Sequence, residues 1–297
     1  MSDHLQPSVR EVLEQPIEKQ IKFVRSPGWI GYDSATQVLA KLNELLDWPQ
    51  CHRMPNLLIV GETNNGKSIL LTRFCEEHPP YYKDPEAFEG FTLPALLVQC
   101  PPVPDERMLY NAILDTVWAP RNVNDSATKL LGIVLRTLKH ANVRMLILDE
   151  LHHMLAGTTK KQHQFLNTIK YLANELRIPI VAAGLKEAVR AISVEPQLSN
   201  RFSVVSLPTW QLDRPFLRLL ASFERVLPLV KPSNLTSKEF ATTLYTASEG
   251  LIGELSMILS EATVRAVKAG RSHITPKDVE SIGWVPPSER QKHASTI

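Results

Sequence analysis

The chain is short of cysteine. Its 297 residues hold three, Cys51, Cys75 and Cys100, about 25 residues apart, with no C-x-x-C pair. An odd count at that spacing excludes a disulfide or zinc framework and points to free thiols in a reducing cytoplasm. No apolar run approaches the roughly 20 residues needed to cross a bilayer, so no membrane partner is expected. Met1 to Arg10 is polar and lacks the hydrophobic region of a signal peptide, which again predicts a cytoplasmic chain. Charge of either sign is scarcely in excess: 33 Lys and Arg against 31 Asp and Glu leave +2. Composition therefore does not announce nucleic-acid binding, and any DNA surface has to be a local patch. What remains is 43% hydrophobic and 22% charged residues, the balance of an ordinary globular protein. The length suffices for a core domain and a smaller second one.

Against that plain background, residues 57–68 stand out. Leu57 to Val60 are four apolar residues in the pattern of a buried parallel strand. They run into Gly61-x-x-x-x-Gly66-Lys67-Ser68, which fits the phosphate-binding P-loop at every fixed position. A helical pattern follows at once through Ile69, Leu70, Leu71 and Phe74. The glycines permit backbone conformations in which successive N–H groups turn inward around a phosphate. Glu62, Thr63, Asn64 and Asn65 complete the cradle, and the helix opening at Ile69 adds unpaired N–H groups and partial positive charge. Lys67 would reach the β- and γ-phosphates of ATP, and the Ser68 hydroxyl would ligate Mg²⁺.

A second motif closes the third apolar strand. Met145-Leu146-Ile147-Leu148 ends in Asp149-Glu150. Strands often end in acids, but behind a full P-loop, with another strand between, the pair takes on distinct roles. Asp149 falls beside the Mg²⁺ shell and Glu150 would polarise the attacking water as general base. His152, His153 and His163 lie just beyond. They do not read as a metal site, because adjacent residues point in different directions on a helix and no Cys or acid completes a ligand set.

Further strands are expected at Ala95 to Cys100, Ile178 to Ala183 and Ser203 to Leu207, with helical stripes between them. Alternating strands and helices predict an α/β core with a five-stranded parallel sheet covered on both faces. Beyond Thr209 the pattern is helical only, through Phe216, Leu219, Leu220 and Phe223 and again through Leu255, Ile258, Leu259, Ala262 and Ala266. The expected organisation is an arm or linker over 1–28 with one short helix, an ATP-binding core over 29–209, a helical lid over 210–285 and a flexible tail over 286–297.

The order of P-loop, Asp-Glu strand, Asn200-Arg201-Phe202 and all-helical lid resembles an AAA+ ATPase. The wording is narrower still. The run Pro55 to Ser68, the segment Leu148 to His153 and the lid start Glu249-Gly250-Leu251-Ile252-Gly253-Glu254-Leu255 are similar to the TniB/TnsC-type transposition ATPases of bacteria. That resemblance implies ATP bound between neighbouring subunits and assembly as a ring or helical filament on double-stranded DNA. It also implies a link between a target-selector protein and a DDE-type transposase, with hydrolysis helping to disassemble the filament. Arg201 matches the position of an arginine finger reaching a neighbour's γ-phosphate.

Two positions depart from the AAA+ pattern. Ala182-Ala183-Gly184 gives the fourth strand no polar residue to orient water, and Gly253-Glu254 stands where many lids carry an arginine. Both losses predict a slow ATPase whose ATP state matters mainly for assembly. No winged-helix domain is recognisable after residue 285, so DNA contacts would come from a ring's inner surface and go to phosphates, with little base specificity. Arg107, Arg121, Lys129, Lys160 and Lys161 are the candidates. The alternatives are a nucleotide-gated protein-interaction module with little hydrolysis and no DNA binding, and a small-molecule kinase, against which the helical domain counts.

Overall fold

The structure is a computed structural model that describes residues 3–26, 28–155, 158–193 and 199–294. The chain divides into two compact units. One comprises Asp33–Thr63 and Lys67–Leu207; the other gathers Met1–Tyr32, Asn64–Gly66 and Pro208–Ile297.

The first unit is built on β1 (Asn56–Gly61), β2 (Ala95–Gln99), β3 (Met145–Asp149), β4 (Ile180–Gly184) and β5 (Phe202–Leu207). The sheet order is β2-β3-β4-β1-β5, with every pairing parallel. Every residue of β1, β3 and β4 is buried, so these strands are covered on both faces, and that is why they are continuous apolar runs. Edge strand β5 is instead buried only at its ends, Phe202 and Leu207, and is open to solvent between them. Asn56, fully buried, stitches the start of β1 to both neighbours: its Oδ1 accepts from Ile180 N at 2.9 Å and its N–H donates to Arg201 O at 2.8 Å.

Helices α3 (Asp33–Leu46), α4 (Lys67–Glu77), α5 (Glu106–Thr116), α6 (Ala127–His140), α7 (Thr159–Leu176) and α8 (Glu187–Ser193) fill the connections. Their starts are written in the sequence: Asp105 accepts from Met108 N at 2.9 Å, and Ser126 accepts from Lys129 N at 3.3 Å. Each satisfies an N–H that the first turn leaves without a partner.

Among its described residues, the second unit carries helices only. Helix α9 (Arg214–Glu224) starts at Asp213, which accepts from Phe216 N at 3.1 Å. Its buried face, Phe216, Leu219, Leu220 and Phe223, packs with Phe240 and Leu244 of α10 (Lys238–Ser248) and with Leu255, Ile258, Leu259 and Ala262 of α11 (Ile252–Lys268). The short α12 (Pro276–Glu280) and then α13 (Pro287–Ala294) follow. Where the sequence predicts a flexible tail from 286, Ser288 is tied to Glu249 through its backbone N–H at 3.0 Å. Over 1–28, where the sequence predicts an arm with one helix, there are two: α1 (Pro7–Leu13) and α2 (Ile17–Arg25). Gln6 N donates to Arg225 O at 3.0 Å, and Ser260 Oγ donates to Val24 O at 3.2 Å. An amphipathic segment with a partner surface does not stay an arm. No described helix is long and apolar enough to cross a membrane.

Candidate nucleotide-binding site

Strand β1 delivers Gly61 at its C-terminal end, and α4 begins at Lys67. Lys67 is buried, and its Nζ donates to Gly61 O at 2.7 Å and Glu62 O at 2.8 Å. Burial pushes its ammonium pKa down, opposed by the negative charges of Glu150, Asp149 and Glu62. The Ser68 hydroxyl donates to Asp149 Oδ2 at 2.5 Å, although 81 residues separate the two. The parallel sheet brings them together: Asp149 ends β3 and Ser68 lies in the first turn of α4, after the loop leaving β1. Both therefore lie at the C-terminal edge of the sheet, where ligands of open parallel sheets bind.

Glu150 turns out of β3 in the left-handed region, with φ of 57°. That conformation is uncommon for a side-chain-bearing residue, and such strain gathers at functional sites. Its N–H closes on Asp149 Oδ1 at 2.8 Å. A 3-10 turn, Leu151–Leu155, follows directly, with His153 N donating to Glu150 O at 3.0 Å. Here the structure corrects the sequence: Glu150 is the acid that joins the histidines, and ligand atoms of Glu150, His152 and His153 all lie within 4.8 Å of one another. A 3-10 turn stacks residues three apart, which a regular α-helix does not. Burial lowers the His152 pKa more than Glu150 raises it, so the imidazole is neutral at pH 7.

The remaining candidates are more dispersed. Arg201 precedes β5 and is partly exposed, its Nη1 donating to Asn174 Oδ1 at 2.8 Å. Arg107 and Lys161 line one shallow cleft with Asp105 and Glu106. Lys160 is exposed in the first turn of α7, and Lys129 pairs with Asp125 at 2.9 Å on the surface. Arg121 is different. Its side chain is only 10% exposed, ion-paired to Asp115 at 2.6 Å and bonded to Asn111 Oδ1 at 3.1 Å. Those partners pin the 117–125 loop and leave the guanidinium committed to structure.

Within the second unit, the tip of the P-loop meets the start of α11. Asn64 O accepts from Gly253 N at 3.0 Å, and Asn64 Nδ2 donates to Glu254 Oε1 at 3.0 Å. Glu254 is itself buried, accepting from Trp284 Nε1 at 3.0 Å and paired to Arg290. A Cβ on Gly253 would lie 2.0 Å from Asn64 Oδ1, so only glycine allows the approach. Gly66 takes φ of 82° and would bring a Cβ to 3.4 Å from Ile252 Cγ2. The roles of Glu254, Trp284 and Arg290 escape sequence reasoning because Glu254 lies 190 residues from Asn64, with Trp284 30 and Arg290 36 residues further on. The sole hint is glycine followed by an acid where arginine was expected.

The sequence matches the family model of the bacterial TniB protein over residues 20–212. No curated protein matches it. Among solved structures, the Aeropyrum pernix ORC2 protein in ADPNP–ADP complexes is similar with a TM-score of 0.64 at 17% identity, covering 88% of this chain and 70% of that one. A Cdc6 protein from Pyrobaculum aerophilum gives 0.59 at 18% identity, with 86% and 68% covered. Drosophila ORC bound to DNA gives 0.56 at 11% identity, with 93% and 66% covered. Identities this low speak for fold alone, and the fold is the parallel α/β architecture of AAA+ ATPases of the ORC/Cdc6 kind. The family match runs through the P-loop, the Asp149–Glu150 strand and β5, well over half of the chain. The chain belongs to the bacterial TniB family of transposition-associated AAA+ ATPases.

Proposed function

We propose that the chain binds ATP with Mg²⁺ at the P-loop, hydrolyses it slowly, and uses the ATP state to assemble as rings or filaments on double-stranded DNA. In that form it links a target-selector protein to a DDE-type transposase. One observation carries the nucleotide chemistry: Ser68 Oγ and Asp149 Oδ2, 2.5 Å apart, beside the buried Lys67. Two hard oxygen donors fit Mg²⁺, which when bound neutralises charge on the β- and γ-phosphates. Ser68 and Asp149 would hold the ion. Gly61, Glu62, Thr63, Asn64, Asn65, Gly66 and Ile69 would cradle the phosphates with backbone N–H groups, and Lys67 would swing from its two carbonyls to the phosphate oxygens. Glu150 would take a proton from the attacking water. Arg201, partly exposed and bonded to Asn174, would reach a second subunit's phosphate.

Arg107, Lys129, Lys160 and Lys161 are exposed cations suited to phosphate contacts without base reading; Arg121 is not among them. The Drosophila ORC structure of similar fold is bound to DNA, which is compatible with a DNA role for this chain. A second reading, a nucleotide-gated protein-interaction module with little hydrolysis, is favoured by the bare Gly184 at the end of β4.

Binding to random-sequence duplex DNA, followed by electron microscopy, tests the proposal. Wild type should form ATP-dependent rings or filaments, Lys67→Ala none, and Glu150→Gln longer-lived ones. ATP binding without a DNA complex at low salt would remove the DNA role and leave the interaction module.

A further inference from the structure

We propose that Glu150, His152 and His153 form a binding site for a transition-metal ion of the Zn²⁺ type, separate from the Mg²⁺ position at Ser68 and Asp149. Ligand atoms of the three side chains lie within 4.8 Å of one another. The Nδ1 atoms of both histidines are buried and have no hydrogen-bond partner. Buried polar atoms are almost always satisfied, and an orphaned one asks for an explanation. Here there are two, in adjacent rings whose centroids are 4.4 Å apart.

The approach of Glu150 bears on the same point. Its Oε2 stands 3.2 Å from His152 Nδ1, yet the contact lacks the alignment of a hydrogen bond. Two ligands on one tetrahedral ion, at bonds of 2.0–2.1 Å, stand about 3.3 Å apart. The pair therefore has the spacing of co-ligands and the wrong direction for a donor and acceptor. The left-handed Glu150 and the 3-10 turn after it create this convergence, with Glu150 and His153 three residues apart. Gly184 packs beside the cluster: a Cβ there would lie 3.7 Å from His152 Nδ1, an ordinary contact.

Two imidazoles and one carboxylate suit Zn²⁺, Co²⁺ or Ni²⁺, whereas Mg²⁺ prefers oxygen donors alone. Three protein ligands leave the fourth tetrahedral position to water. The metal site stands on the geometry alone. Its consequence, that a bound ion takes the Glu150 carboxylate away from the attacking water and halts hydrolysis without displacing ATP, rests on the base role proposed above.

Co²⁺ titration of the full chain without a histidine tag, in excess Mg²⁺ and without nucleotide, provides the test. Expected are the visible absorption bands of tetrahedral Co²⁺, saturating at one ion per chain and bleached by Zn²⁺. His163→Ala should keep the bands, while His152→Ala and His153→Ala should each lose them and still bind a fluorescent ATP analogue. No saturable bands in wild type, or bands persisting in the double His152→Ala/His153→Ala variant, would overturn the site. Zn²⁺ inhibition of ATP turnover is then read separately. Bands without inhibition would leave the metal site standing and count against Glu150 as the base.

Discussion

Three thiols share one chain but not one chemistry. Burial pushes Cys75 up to about 11, with Glu76 adding to the shift, and Cys100 up to about 12, with Asp149 and Glu150 adding. At pH 8 a thiol of pKa 11 is ionised to about one part in a thousand, and the thiolate is the reactive form. Cys51, partly exposed, stands apart. Alkylation of the folded protein at pH 8, read by mass spectrometry, should label Cys51 first and reach Cys75 and Cys100 only on unfolding. Equal labelling of all three would show that the sheet end around Cys100 opens readily. The sign for stability is the reverse of the usual carboxylate case. These thiols hold protons that the unfolded chain releases above about pH 9, so their contribution is lost as pH rises from there.

At the scale of elements, the short α12 depends on Asp278. Its Oδ2 accepts from Thr275 N at 2.7 Å and Thr275 Oγ1 at 2.8 Å, and Arg271 pairs with it. Burial alone would raise this carboxyl, but the bonds from Arg271 and Thr275 outweigh it and hold the pKa below the ordinary aspartate value. A depressed carboxyl stabilises the fold above its unfolded pKa and loses that contribution as pH falls below about 4. Asp278→Ala should cost about 1 kcal/mol at pH 7, lowering Tm by roughly 2 °C. The difference from wild type should shrink below pH 4, as followed by circular dichroism. A constant difference down to pH 2 would remove the ionised carboxylate from the account.

The elements that were legible in the sequence share a local cause. Strands β1, β3 and β4 read as apolar runs because both faces are buried, and Asp105, Ser126 and Asp213 mark helix starts three residues ahead of the N–H they satisfy. The P-loop and the Asp149–Glu150 pair were legible for the same reason, since chemistry fixes their spacing along the chain. What escaped is set by contacts between distant segments, Asn64 with Glu254 and α2 with a partner on α11, or by a pairing within a polar loop region, Arg121 with Asp115. The Glu150 cluster escaped for a subtler reason. It depends on a positive φ and a 3-10 turn that residue types do not announce.

Considered as a whole, the molecule is nearly neutral, at +2 over 297 residues. A single copy would have little long-range pull on DNA, so in the proposed assembly grip would come from many copies each adding a few exposed cations. In that assembly, affinity would follow the number of subunits joined, and the number joined would follow how long ATP survives. That places unusual weight on Gly184. A Cβ added there would meet His152 N at 3.4 Å and Ala188 Cβ at 3.5 Å, ordinary contacts that leave room for a small side chain. Gly184→Ser should raise ATP turnover roughly tenfold by supplying a hydroxyl near the attacking water, and should shorten the DNA assemblies seen by electron microscopy. Unchanged turnover with ATP binding intact would mean that the strand end does not limit the reaction. On that proposal the bare strand end would work as an hourglass with a wide or narrow neck: packing leaves room to change how fast it runs, and one codon would be enough to reset it.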